Sequence, residues 1–104
     1  MKFNVELIEE AREDYKKLDN SRKIQVAKQL KQLEVNPYKG KHLGKKFGID
    51  LTGYYKLYAV QKKIRIVYTV KEDIITVEVI TIGKREDFKV YKETFKRIKY
   101  KLDS

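Results

Sequence analysis

The sequence predicts an α+β domain in which an N-terminal strand and an α-helical hairpin packed on one face of an antiparallel β-sheet are followed by a C-terminal helix. Apolar and polar residues alternate at the start of the chain and in three later runs, a period typical of β-strands. Two stretches after the first run, and one at the end of the chain, have apolar residues at helical spacing. With 104 residues there is room for one modest core, so we expect residues 1–104 to form a single domain.

The first strand and the helical hairpin are predicted in the N-terminal part of the chain. Residues 2–7 alternate, and the spacing becomes helical from Ile8 onward. The segment "DNS" at residues 19–21 separates the two helices and offers capping side chains for the second. That helix should end before Asn36, because the residue before a proline is disfavoured in the α region. Residues 36–53 hold the only proline and four of the five glycines, which predicts a connecting loop.

Three strands and a helix are predicted in the C-terminal part. The strand-like runs are residues 54–60, 64–70 and 74–82, and their short separators favour an antiparallel meander. Residues 85–104 are expected to form a C-terminal helix or a partly ordered tail. The apolar residues at helical spacing in that segment are Phe88, Tyr91, Phe95, Ile98 and Leu102.

The hairpin between the first two of these strands decides which side chains share a sheet face. A turn at residues 61–63 places Val60 opposite Arg65 and Tyr58 opposite Val67. A slip of one residue would bury the charge of Arg65, so the apolar pattern favours this choice of faces. The face expected to meet the helices carries Leu57, Ala59, Ile66, Tyr68 and Val70. The face expected to be open carries Lys56, Tyr58, Val60 and Arg65.

Charge is the main compositional clue to function. The chain has 25 Lys and Arg against 15 Asp and Glu, a net charge of +10, which favours a polyanionic partner such as RNA or the ribosome. There is no cysteine, which excludes disulfides and thiolate metal sites and favours a reducing cytoplasm. No apolar run approaches the roughly 20 residues of a membrane span. The acids form no recognisable metal-ligand pattern, so we expect metal-independent chemistry and no cofactor.

The stretch "ITIGKREDFKVY" at residues 80–91 marks a candidate site. It begins as the last strand, and Gly83 is interpreted as the turn that releases the chain. Lys84 and Arg85 follow directly. If the last strand is adjacent to residues 64–70, Arg85 should reach the open sheet face and help to form one basic surface.

Two motifs resemble those of RelE-type toxins in the RelE/ParE superfamily of bacterial toxin–antitoxin modules: "IRIVY" at residues 64–68 and "IGKRE…VY" at the end of the last strand. The resemblance implies an endoribonuclease that cuts mRNA in the ribosomal A site. It also implies a cognate acidic antitoxin, and contact with operator DNA only through the antitoxin complex. The site residues carried over on this resemblance are Lys56, Arg65, Arg85 and Tyr91. At Tyr58 the chain departs from the family, which typically has there a second lysine, a proposed general base.

The chemistry of RNA cleavage agrees with these residue types. Attack by the ribose 2′-hydroxyl needs a base, and cations must stabilise the charge that grows on the phosphorus centre. Lys56 or Tyr58 is a candidate base if neighbouring cations lower its pKa. Aromatic rings at Tyr91 and Phe88 would stack an RNA base. The basic residues expected to contact RNA are Lys84, Lys62, Lys63, Lys45 and Lys46.

Two alternatives remain open at the level of sequence. A ParE-like toxin of the same fold would inhibit DNA gyrase without being a nuclease. A non-catalytic module would act chiefly with its antitoxin on DNA. Both alternatives remain open because Tyr58 stands where the family typically has its second lysine.

His42 is the only histidine of the chain. It lies outside the matched motifs and is expected to be an ordinary loop residue.

Overall fold

A computed structural model of the chain describes residues 2–46, 48–86 and 88–103, without the side chains of Lys46, Leu102 and Asp103. The elements are β1 (Asn4–Leu7), α1 (Glu9–Lys16), α2 (Asn20–Leu33), β2 (Lys41–Lys46), β3 (Ile49–Ala59), β4 (Ile64–Lys71), β5 (Thr76–Lys84) and α3 (Lys89–Asp103). Within this described part, no helix has the length and apolar character needed to cross a membrane.

The strands form one five-stranded sheet in the order β1-β5-β4-β3-β2. The meander of β3, β4 and β5 is antiparallel, and helices cover the sheet, so the predicted α+β class is confirmed. One feature differs from the predicted antiparallel sheet, because β1 pairs with β5 in parallel. The long connection through α1, α2 and three further strands brings β5 back beside β1, as parallel pairing requires.

The segment at residues 36–53, predicted to be a connecting loop, contains β2 and the first part of β3. One of its glycines lies at a bulge within β3 and another lies in the turn between the two strands. Gly53 has φ of +90° at the irregularity in the β2–β3 ladder, and Gly48 has φ of +76° just before β3. Both conformations suit glycine because it has no Cβ. The glycine content was therefore a signal of a bulge and a hairpin turn.

The β3–β4 hairpin has a different register from the one predicted. Tyr58 lies opposite Arg65 and Lys56 lies opposite Val67, a shift of two residues. The cause is a four-residue turn, since Ala59 pairs with Ile64 and the Lys63 N–H donates to the Val60 carbonyl over 3.0 Å. Because strand side chains alternate with a period of two, a two-residue shift leaves the paired side chains on their predicted faces. Val60, predicted on the open face, is the exception, because it lies in the turn with φ of +54° and packs against the core on the other face.

The helices cover both faces of the sheet. On one face α1 and α2 pack on a core that includes Ile66 and Tyr68, both fully buried, as the hairpin pattern predicted. On the opposite face, predicted to be open, α3 packs over Val67 and Leu51. The face that carries Lys56, Tyr58 and Arg65 is therefore exposed only where α3 does not cover it. The candidate site lies at the edge of the area covered by α3.

Strand β5 is shifted by two residues toward the C-terminus from the predicted run of residues 74–82. It begins at Thr76, after a short 3-10 turn, and ends at Lys84, so Gly83 does not end it. Gly83 pairs with Arg65, and a Cβ added there would lie 3.1 Å from Cγ2 of Val90. The glycine lets the start of α3 approach the strand closely.

An ion pair tethers α3 to α1 and to β5. Arg97 binds both carboxylate oxygens of Asp14, with Nη1–Oδ2 at 2.6 Å and Nη2–Oδ1 at 3.1 Å. Arg97 also donates to the Ile80 carbonyl, and the Ile82 N–H donates to Asp14. Strand β1 pairs with β5 only as far as Val79. Beyond that point the Asp14–Arg97 ion pair supplies hydrogen-bond partners for the Ile80 carbonyl and the Ile82 N–H on the uncovered edge of β5.

Candidate active site

Lys56 and Tyr58 project from the same face of β3, because they are two residues apart on one strand. Both side chains are half-buried. The Lys56 ammonium donates a hydrogen bond to the Tyr58 hydroxyl, with Nζ and Oη 3.1 Å apart. The two groups thus form one polar unit at the edge of the surface that α3 covers.

Arg65 enters the same unit from β4, directly opposite Tyr58. Only 7% of the residue is exposed. Its guanidinium carbon lies 4.8 Å from the centre of the Tyr91 ring and 5.9 Å from the centre of the Tyr58 ring. A guanidinium against aromatic faces is held by cation–π attraction, which partly offsets the cost of burying the charge.

Arg85 reaches the site from the segment that follows β5. Its backbone N–H donates to the Lys63 carbonyl over 2.9 Å, which fixes the chain where it leaves the sheet. The side chain is exposed, and its guanidinium carbon lies 5.4 Å from the centre of the Tyr58 ring. The structure therefore brings together Lys56, Tyr58, Arg65 and Arg85, which are up to 29 positions apart in the sequence.

This concentration of positive charge acts on the Tyr58 phenol. The hydrogen bond from Lys56 is the largest influence and lowers the pKa of Tyr58, burial opposes it, and Arg65 lowers it further. The net result is a pKa of about 8, against 10.0 for an ordinary tyrosine. Cations favour the phenolate because they stabilise its negative charge. An acid–base group thus lies among cations able to bind a phosphate.

Tyr91 does not present an open stacking surface in this arrangement, whereas Phe88 is only partly covered and its stacking role stays a prediction. Tyr91 is only 3% exposed, and its ring packs beneath Arg65 in the α3 interface. Phe88 is half-buried, with the Lys92 ammonium 4.4 Å from its ring centre. The contact of Tyr91 with Arg65 fits a residue that positions the arginine.

A basic cleft of about 430 Å³ lies beside this cluster. The cations that line it are Arg22, Lys62, Lys63, Lys84 and Arg85. Arg22, in the first turn of α2, was missed by the sequence analysis, because nothing in its local pattern shows that α2 begins next to the β3–β4 turn. Lys45 is exposed on β2, opposite Asp50, and does not line this cleft. The side chain of Lys46 lies outside the described residues.

His42, predicted to be a loop residue, lies in β2 and makes contacts that support the fold. Its Nε2 accepts a hydrogen bond from the Gly53 N–H over 2.9 Å, and its ring packs edge-on against Tyr55. The histidine thereby fastens β2 to the bulge in β3. Among the residues that the structure describes, no group of three or more His, Asp or Glu side chains is arranged to hold a metal ion.

Comparison with known proteins decides the family. The family model of ParE-like toxins of type II bacterial toxin–antitoxin systems matches residues 5–101, almost the whole chain. The chain belongs to this family. The toxin is 29% identical to a protein of Escherichia coli described as RelE-like, over 95% of the chain and 100% of that relative.

Solved structures assign the toxin to the RelE type. A mutant of the E. coli toxin RelE in the free state superposes with a TM-score of 0.74 and 29% identity, covering 94% of this chain and 99% of that one. RelE in the intact E. coli RelBE toxin–antitoxin complex superposes with a TM-score of 0.67 and 26% identity, covering 81% and 98%. The resemblance stated from the sequence is confirmed.

Proposed function

We propose that this RelE-type toxin is a ribosome-dependent endoribonuclease that cleaves mRNA in the A site and so inhibits translation. The observation that carries the proposal is the convergence of Lys56, Arg65 and Arg85 on the Tyr58 ring. Cations fixed in advance around one point stabilise charge that develops there during a reaction. A phosphodiester is the substrate class that this chemistry fits, because its transition state gains negative charge on the phosphoryl oxygens.

The reaction supported by these residues is attack of a ribose 2′-hydroxyl on the adjacent phosphorus. Arg65 is suited to supply positive charge from a fixed position beneath the substrate, since its side chain is held against Tyr91 and is largely buried. Arg85, being exposed, is suited to closing on the substrate from solvent. Arginine is always charged at physiological pH, so both act through charge and hydrogen bonding and not as proton donors.

The basic cleft supplies a path for the rest of the RNA strand. It is continuous with the active site through Arg85, which belongs to both. Neutralisation of successive phosphates by Arg22, Lys62 and Lys63 would release counterions and position the strand without reading its sequence. We therefore assign the cleft to mRNA or ribosomal RNA backbone.

An acidic antitoxin is the proposed protein partner. The family is defined by such pairs, and E. coli RelE is seen bound to its antitoxin in the RelBE complex. The net charge of +10 favours an acidic partner by charge complementarity. Contact with operator DNA is assigned to the complex.

Inhibition of DNA gyrase is the second candidate function. It is favoured by one observation, the presence of Tyr58 where RelE-type enzymes typically carry a second lysine. A gyrase inhibitor needs no acid–base group at this position, so the lowered pKa of Tyr58 would then have no purpose.

Primer extension on mRNA from cells that express the toxin separates these functions. The proposal expects new 5′ ends inside translated codons, and their loss when translation initiation is blocked. Arg85→Ala should reduce these cuts by orders of magnitude while the protein remains folded, because Arg85 is exposed and its backbone hydrogen bond does not need its side chain. Lys16→Ala is a control that removes an exposed cation on α1, outside the cluster and the cleft, and should cut like wild type. Intact mRNA together with gyrase-linked DNA breaks would refute the proposal.

A further inference from the structure

We propose that Tyr58 is the general base of this site and that the hydrogen bond from Lys56 promotes ionisation of its phenol. The inference deepens the proposed function and rests on it, because the base needs a ribose 2′-hydroxyl to act on. It assigns proton transfer to the one position at which the chain departs from its family.

The direction of one hydrogen bond carries the argument. A lysine ammonium has three N–H donors and no acceptor. In the bond between Lys56 Nζ and Tyr58 Oη, the phenol oxygen is therefore the acceptor. Accepting a hydrogen bond from a cation stabilises the phenolate over the neutral phenol. The Tyr58 proton is then free to leave, and the oxygen keeps a lone pair for a substrate proton.

The groups that face Tyr58 from neighbouring elements favour the same state. Arg65 lies opposite it on β4, and Arg85 approaches from the segment after β5. From α2, the neutral Gln29 side chain donates to the Tyr58 backbone carbonyl. Each charged group facing the ring in this set, Lys56 included, is cationic.

Strand β2 and helix α3 also adjoin the site, and the residues they place there carry no negative charge. On β2, Lys41 lies opposite Lys56 and adds another cation. On α3, Tyr91 contacts Arg65 and holds it in place. The side chains named here from β2, β3, β4, the segment after β5, α2 and α3 are therefore cationic or neutral, and none brings a negative charge to Tyr58.

The pKa of about 8 makes Tyr58 a usable base near neutral pH. At pH 7 roughly a tenth of such a tyrosine is phenolate, against about a thousandth for a tyrosine with the ordinary value near 10. Because Tyr58 is half-buried, a substrate can reach its oxygen.

The proton balance of the step is complete. The Tyr58 phenolate takes the proton of the 2′-hydroxyl, and the 2′-oxygen forms a bond to the adjacent phosphorus as the bond from phosphorus to the 5′-oxygen breaks. The leaving 5′-oxygen takes a proton from water, and the resulting hydroxide removes the proton from Tyr58. The products are a 2′,3′-cyclic phosphate and a 5′-hydroxyl, with Arg65 and Arg85 stabilising the charge on the phosphoryl oxygens.

Titration of the free toxin tests the ionisation directly. The chain has eight tyrosines, so the ultraviolet tyrosinate signal is measured as a difference between wild type and Tyr58→Phe. We expect this difference to titrate near pH 8 and to move toward pH 10 in a Lys56→Met background. A difference signal that titrates near pH 10 in the wild-type background would overturn the proposal whatever the toxin cleaves.

Cleavage on ribosomes tests the role. With ribosomes carrying a defined A-site codon, the wild-type rate should rise with pH through the same value. Tyr58→Phe should lose this rise and fall by roughly 10²–10⁴-fold, the usual contribution of general acid–base catalysis. Tyr100→Phe, which removes a hydroxyl from an exposed tyrosine at the far end of α3, should cleave like wild type.

A substrate with sulfur in place of the leaving 5′-oxygen separates base from acid. Sulfur leaves without protonation, so this substrate would restore Tyr58→Phe only if Tyr58 were the acid. Continued slow cleavage of this substrate by Tyr58→Phe supports the proposal, and restoration of the wild-type rate overturns it.

The outcomes also separate the inference from the proposed function. If wild type cleaves programmed ribosomes and Tyr58→Phe cleaves them at a rate within threefold of wild type, the inference alone is refuted. Failure of wild type to cleave programmed ribosomes refutes the proposed function and the inference with it.

Discussion

Removal of one partner of the ion pair between Asp14 and Arg97 should destabilise this domain strongly, because it leaves a largely buried charge without its partner. The two side chains are only 16% and 12% exposed, and together with β5 they make four hydrogen bonds. Burial is the largest single influence and opposes the charge on Arg97, but the hydrogen bond to Asp14 together with the negative charges of Asp14, Glu93 and Glu10 raises the pKa of Arg97. The perturbation we consider is Arg97→Met, which keeps much of the apolar stem and removes the guanidinium.

The magnitude follows from what the substitution leaves behind. Three hydrogen bonds disappear, and Asp14 keeps only the Ile82 N–H to offset its buried charge. Removing one partner of a buried ion pair typically costs about 3–5 kcal/mol. Because both side chains retain some contact with water, we expect a loss of about 3 kcal/mol. The total free energy of unfolding of a small domain is only about 5–15 kcal/mol, so this loss is a substantial fraction of it.

Urea denaturation followed by far-ultraviolet circular dichroism measures the effect. Asp14→Ala and the double variant complete a cycle, and the double variant should lose about 2 kcal/mol less than the sum of the single losses. Lys16→Ala breaks an exposed pair with Glu13 on the same helix α1 and should leave the midpoint almost unchanged. A loss under 1 kcal/mol for Arg97→Met, or additivity in the cycle, would show that the pair does not hold α3 in place.

Three further outcomes are expected. Gly40→Ala should destabilise the fold by about 1–3 kcal/mol in urea, because its Cβ would lie 2.5 Å from the Lys56 carbonyl oxygen; an unchanged midpoint would contradict this. The double substitution Lys62→Gln and Lys63→Gln should weaken RNA-dependent association and flatten its dependence on salt in fluorescence titrations, and an unchanged salt slope would remove them from the RNA path. Tyr58→Lys should still cleave programmed ribosomes, since a lysine among cations also has a lowered pKa; a folded but inactive variant would mean that the phenol is required.

Local pattern was enough to predict most of the fold. Alternation and helical spacing identified β1, both helices of the hairpin, the meander and α3, because each depends on neighbours within a few residues. The same alternation placed Lys56 and Arg65 on one sheet face, and a register error of two residues did not alter that result. Glycine-rich sequence was the weak point, since a bulge and a turn inside β2–β3 have the composition of a loop.

By itself the sequence determined the class of fold, the family and the residue types of the candidate site. Only the tertiary structure decided how those residues meet. Docking of α3 on the polar sheet face buries Tyr91 beneath Arg65, and the pair of Asp14 and Arg97 joins residues 83 positions apart. The reason is physical: periodicity reports which face a side chain takes, whereas packing between distant segments decides its burial, its partners and its pKa. The lowered pKa of Tyr58 arises from such packing, since β3, β4 and the segment that follows β5 place cations around its phenol.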